Sequence, residues 1–187
     1  LPLIGSHNAQ NLLAAVSLAL CLGLSASEIK KGLTSFKPAE GRSQILDLRL
    51  KPDRQIRMIC DYYNANPASM VAALKLLREL NNLKGHTFAI LGDMLDLGKE
   101  EEQLHRNLAT HLANIDYLFL YGQRIHWLLD EIKKTSYQGC IKLFDDHQDI
   151  AQFIFQEAKS NDIILIKGSR GMKMELVLQF LNILNST

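Results

Sequence analysis

Ile163-Ile164-Leu165-Ile166-Lys167-Gly168-Ser169-Arg170-Gly171 decides the fold class. Four apolar residues without polar alternation run into a turn dense in glycine and charge. A strand with one face in water alternates apolar and polar side chains, whereas an unbroken apolar run fits a strand covered by helices on both faces. Phe88-Ala89-Ile90-Leu91 and Tyr117-Leu118-Phe119-Leu120 read the same way. Strands are therefore expected near 87–92, 117–121, 141–144 and 163–167. Amphipathic stretches between them predict helices near 99–114, 123–134, 147–160 and 172–184.

Upstream the pattern changes. Leu46, Leu48 and Leu50 alternate with polar residues, as do Ile56, Met58 and Cys60, and Lys51-Pro52-Asp53-Arg54 makes a turn between them. Residues 44–61 thus read as a β-hairpin whose second strand ends at Asp61. Met70, Ala73, Leu74, Leu77 and Leu80 then mark an amphipathic helix. The whole predicts an α/β domain: a Rossmann-like, mostly parallel sheet with an amino-terminal β-hairpin and flanking helices.

Residues 1–36 carry two helical patterns, about 8–22 and, from a Ser27 cap, to about 35, with no strand. Leu12–Leu24 is apolar enough to suggest a signal-peptide core, but no Lys or Arg precedes it. Its Leu12, Ala15, Val16, Ala19 and Leu22 recur at helical spacing, so a packed helix is expected. Lys37-Pro38-Ala39-Glu40-Gly41-Arg42 has linker composition. The expected division is a helical tail of a preceding domain at 1–37 and an α/β domain at 38–187. The leading leucine suggests that an amino terminus is missing.

The 187 residues are 47% apolar and 22% charged, with a formal charge of +1. That balance predicts a soluble globular chain, without bulk attraction to nucleic acid or insertion into a membrane. Cys21, Cys60 and Cys140 are odd in number and widely spaced, and read as buried hydrophobes, not as a disulfide framework or zinc site. No histidine pair has metal-ligand spacing, and there is no Gly-x-Ser-x-Gly elbow or Walker loop.

Parallel strands end on one shared edge, where ligands of open α/β sheets bind. Three polar clusters fall there: Asp61-Tyr62-Tyr63-Asn64-Ala65-Asn66, Gly92-Asp93-Met94, and Lys167–Gly171. In the first, Asn66 suits a helix N-cap and Pro67 the first helical turn. Capping leaves Asp61, Tyr63 and Asn64 unexplained. Asp93 suits either a ligand-facing carboxylate or a turn. The third cluster, with two cations and a helix behind it, is a candidate anion site.

These segments resemble the Mur ligases of peptidoglycan synthesis. Gly5-Ser6-His7-Asn8-Ala9-Gln10-Asn11 is similar to the family's H-N-x-x-N segment, at the end of its ATPase domain. Glu40-Gly41-Arg42 is similar to its domain-boundary arginine. Asp61–Met70 resembles the D-x-Y-N-A-N-P-x-S-M signature of one branch, and Leu91–Gly98 and Lys167–Arg170 match two further segments in order. The resemblance implies a bacterial, cytoplasmic, ATP-dependent amide ligase of cell-wall biogenesis, with Mg²⁺. Its partners would be UDP-N-acetylmuramoyl tripeptide and D-alanyl-D-alanine, joined through an acyl phosphate.

By the same resemblance Asn8 and Asn11, with His7 beside them, would contact adenine, Arg42 the phosphates and Asp61 the ribose. Tyr63, Asn64 and Asn66 would shape the meeting of ATP and dipeptide, and Lys167 and Ser169 would lie on the substrate side. The family's UDP-binding domain, phosphate-binding loop and metal ligands are missing from these 187 residues. No complete catalytic set is therefore expected, and the chain alone should be inactive without its partner domains. Competing readings are a sister ligase, a pseudo-ligase that only binds, and a receiver-like signalling domain using Asp93 and Lys167.

Overall fold

A computed structural model of the chain describes residues 6–51, 53–81 and 85–186. It divides into two compact units, Leu1–Ala39 and Glu40–Thr187.

The first unit holds α1 (Ser6–Cys21) and α2 (Ala26–Ser35). The cap of α2 is Ser25, not Ser27. Ser25 Oγ accepts from Glu28 N (3.3 Å) while Glu28 Oε2 accepts from Ser25 N (2.8 Å), a reciprocal pair that requires the acid at the third helical position. The packed helix expected at α1 is not what is seen. Leu13 and Leu18, at 67% and 63% exposed, and Leu20 at 56% leave apolar surface open on several sides. Two helices do not form enough of a second layer to bury a helix that is apolar nearly all round.

The second unit is built on one six-stranded sheet in the order β1-β2-β6-β3-β4-β5. β1 (Gln44–Lys51) and β2 (Arg54–Asp61) form the expected antiparallel hairpin. β6 (Ile163–Lys167), β3 (Thr87–Gly92), β4 (Tyr117–Tyr121) and β5 (Cys140–Phe144) continue it in parallel. β3 and β6 are buried at every position, as their unbroken apolar runs require.

Their side chains alternate between two cores. Ile163, Leu165, Ala89 and Leu91 join Met70, Leu74 and Leu77 of α3 (Pro67–Leu80) and Leu128 of α5 (His126–Ile132). Ile164, Ile166, Phe88 and Ile90 join Ile150 and Ile154 of α6 (His147–Glu157) and Val177 and Leu181 of α7 (Glu175–Ser186). The helix expected over 99–114 is instead α4 (Glu101–Asn107) between 3-10 turns at 98–100 and 108–111. Arg78 Nη1 donates to His111 O at 2.7 Å, satisfying a carbonyl that the helix end leaves open.

Of the cysteines only Cys60 is buried; Cys21 and Cys140 are exposed. Burial, with Glu40 and Asp61 nearby, pushes the Cys60 thiol up to about 12, so it is an inert core group. No helix among the described residues is long and apolar enough to cross a membrane.

Candidate functional site

Sheet order brings the ends of β2, β6 and β3 side by side, with Asp61 opposite Lys167 and Lys167 opposite Leu91. Residues in register on neighbouring parallel strands share a face, so the two charges meet. Lys167 Nζ lies 2.6 Å from Asp61 Oδ2, and also donates to Asn64 O at 3.1 Å and Asp61 O at 3.4 Å. Lys167 is 1% exposed. Burial lowers its pKa from the ordinary lysine value, against the opposing pull of Asp61. It is not a cation held out for a substrate, which corrects its expected place.

The other Asp61 oxygen reaches back across the hairpin. Oδ1 accepts from Ser43 N at 2.9 Å and Ser43 Oγ at 3.3 Å. Ser43 and Gly41 both have positive φ, +48° and +70°. A side chain at Gly41 would meet the Tyr62 ring at 2.6 Å, so this turn admits only glycine there. Tyr63 N donates to Gly41 O at 2.9 Å and the Tyr62 hydroxyl to Glu40 Oε1 at 3.3 Å. Residues 40–43 are thus stitched to residues 61–63.

Above this stitching the surface is open. The Arg42 guanidinium carbon sits 4.0 Å from the centre of the Tyr63 ring, and Tyr63 is 46% exposed. Asn64 Oδ1 accepts from the adjacent Ala65 N at 2.9 Å, and its amide nitrogen has no partner among the described residues. Asn66 is used by the helix: its Oδ1 accepts from Ser69 N at 2.8 Å and its N donates to Ser69 Oγ at 3.0 Å. The exposed edge therefore offers Arg42, Tyr63, Asn64 and the rim of Asp61, whose side chain is 17% exposed.

The other two clusters are structural. Asp93 is buried and accepts from Gln123 N and Arg124 N, both at 3.1 Å, and from Ile125 N at 2.7 Å. It closes the turn before α5. A receiver-like reading needs this carboxylate free, so that reading fails on geometry. Ser169 is also buried: its Oγ accepts from Leu95 N at 2.8 Å and donates to Ala65 O at 3.3 Å, tying three loops together. Arg170 pairs with Glu175 at 3.3 Å. With Lys167 enclosed and Arg170 paired, the expected anion site at 167–171 is not formed.

In the first unit, Asn8 and Asn11 share one side of α1 by their three-residue spacing, Asn8 partly buried and Asn11 exposed. His7 lies in the same first turn, with its side chain outside the described residues.

Sequence reasoning missed Ser43, whose partner is eighteen residues away, and also His105. His105 is fully buried; its Nε2 accepts from Met94 N at 3.0 Å and its Nδ1 lies 2.6 Å from Glu101 O, which selects the neutral Nδ1–H tautomer. Among the described residues no group of three or more His, Cys, Asp or Glu is placed to hold a metal ion. A groove of about 610 Å³ near Thr110, Asn114, Tyr137 and Cys140 opens at the opposite edge of the sheet and contains none of the motif residues.

Residues 41–170 match the family described as Mur ligase, glutamate ligase domain. The chain is 32% identical over 181 residues to UDP-N-acetylmuramoyl-tripeptide–D-alanyl-D-alanine ligase of Bacillus subtilis, covering 96% of this chain and 38% of that protein. It is 32% identical over 190 residues to the protein of the same name from Escherichia coli, covering 97% and 38%. Among solved structures, MurF from Acinetobacter baumannii superposes with a TM-score of 0.80 at 32% identity, over 97% of this chain and 39% of that one. The chain thus spans well under half the length of these relatives.

Proposed function

Because this chain belongs to the Mur ligase family, we propose that it forms the carboxyl-terminal part of an ATP-dependent ligase joining D-alanyl-D-alanine to UDP-N-acetylmuramoyl tripeptide. The reading is carried by one coincidence. The stretch Asp61–Met70 that resembles a ligase signature occupies the sheet edge where a guanidinium, an aromatic ring, an amide and a carboxylate rim are exposed together.

In the proposed reaction the tripeptide's terminal carboxylate takes the γ-phosphoryl of ATP, releasing ADP. The dipeptide amine then attacks the acyl carbon, and phosphate leaves as the amide forms. The Asp61 carboxylate accepts hydrogen bonds from the ribose hydroxyls. Arg42, braced on the Tyr63 ring, faces the phosphates and offsets charge that grows during transfer. Tyr63 and Asn64 border the space for the dipeptide, while Asn66 acts by holding the turn. By the family resemblance Asn8 and Asn11, with His7 beside them, would contact the adenine. Mg²⁺ would accompany ATP, and the described residues hold no metal-binding cluster for it.

The reaction would take place in the bacterial cytoplasm, with the remaining domains of the same polypeptide supplying the phosphate-binding loop. No Gly-x-x-x-x-Gly-Lys-[Ser/Thr] occurs in these 187 residues. The chain alone is therefore expected neither to hydrolyse ATP nor to form the amide, and turnover by the purified 187-residue chain would refute that division of labour. The reaction itself is tested on the protein from the whole reading frame, given ATP, the UDP-linked tripeptide and either D-alanyl-D-alanine or single amino acids. One ADP per pentapeptide formed, with the dipeptide preferred, is the expected result. Preference for a single amino acid would make it a sister ligase, and absence of any amide product would remove the activity.

A further inference from the structure

Lys167 is an ammonium enclosed at the carboxyl end of a central strand. A buried ion costs stability unless its partners compensate, and a methionine or leucine would fill the same space without that cost. Its three donors are accounted for by Asp61 Oδ2, Asp61 O and Asn64 O. No donor is left for a substrate. Both ends of the turn 61–64 therefore hang on one side chain, and between them the turn presents Tyr63 to solvent.

We propose that Lys167 is a positioning residue for nucleotide recognition, setting the Asp61 carboxylate in the orientation that receives ribose hydroxyls. This rests on the ribose role proposed for Asp61. The carboxylate is clamped from two sides, by Lys167 on Oδ2 and Ser43 on Oδ1. A carboxylate offers about four acceptor sites, so the clamp leaves room for a ligand hydroxyl on the exposed rim. The Ser43 hydroxyl, at 3.3 Å, is the contact that a second ligand hydroxyl displaces most readily. Lys167 touches no nucleotide atom in this arrangement; it acts through Asp61.

Calorimetric titration of the whole protein with ATP and with 2′,3′-dideoxy-ATP separates the possibilities. In Lys167→Met and Lys167→Gln, ATP affinity is expected to fall about tenfold, the scale of a charge-assisted hydrogen bond, with dideoxy-ATP affinity changing by no more than about twofold. Equal losses for both nucleotides would overturn the proposal and leave Lys167 a general structural residue. Asp61→Asn serves as the control: if it weakens both nucleotides equally, the ribose role of Asp61 itself is wrong. Should neither lysine variant fold, the ¹⁵N ammonium resonance of Lys167 is followed in the unsubstituted protein. A shift on adding ATP but not dideoxy-ATP supports the coupling, and the same spectrum with both overturns it.

Discussion

Asp61 accepts from three donors on two other segments, so its removal has effects that depend on what it leaves behind. Asp61→Asn keeps the shape but leaves the Lys167 ammonium enclosed without a counter-charge, and is expected to cost about 2–4 kcal/mol at neutral pH. The sign of its pH dependence follows from Lys167. Burial lowers that lysine below 10.5 in the folded state, and without Asp61 the opposing pull is gone. The unfolded chain then binds the proton more tightly, so stability rises with pH between the lowered folded value and the ordinary lysine value. Urea midpoints of Asp61→Asn are expected to recover toward the unsubstituted protein as pH rises toward the ordinary lysine value; a gap that stays constant would place the loss elsewhere. None of this was legible in the sequence. A lysine after an apolar run reads as a cation offered to solvent until the pairing of β2 with β6, about a hundred residues apart, is known.

At the scale of elements, α3 shows what sequence reads well. Asn66 and Pro67 predict a capped start, and both reciprocal cap bonds, between Asn66 and Ser69, are present. Asn66→Ala is expected to cost about 1 kcal/mol, measured by urea denaturation. Asn66→Ala combined with Ser69→Ala should cost less than the sum, because the two side chains share one motif. The buried strands were legible for a related reason: two-sided burial permits almost nothing polar, so burial is written into each residue. The stretch after β3 was legible as helical, since 98–111 is helical throughout, but not in its division into a short α-helix between 3-10 turns. Its residues favour helix throughout, yet His105 turns inward to Met94 N and Arg78 closes the far end, contacts that local pattern does not encode. The anion site expected at 167–171 failed for the same reason, since its serine and lysine are spent on neighbouring loops.

At the scale of the molecule, both cores draw their buried residues from Leu50 to Leu181. Residues 40–187 are therefore expected to keep the main unfolding transition, within about 0.5 kcal/mol, when residues 1–36 are deleted. Loss or broadening of that transition would show that α1 and α2 are integral to it. The same deletion removes exposed leucines and should raise solubility, read by light scattering.

The position of β6 also sets an order in time. It is the last of the six strands to be synthesised, yet it lies between β2 and β3. Until residue 167 leaves the ribosome, the hairpin and the β3-β4-β5 ribbon have no strand to join them, and each exposes an apolar edge. Closure of the sheet thus waits for β6 and is governed by contacts distant in sequence. A chain ending at residue 160 is expected to be aggregation-prone and to bind a hydrophobic dye, whereas one ending at 187 is not. Premature termination between β5 and β6 would therefore leave two unjoined half-sheets for the cell to clear, not a shortened domain.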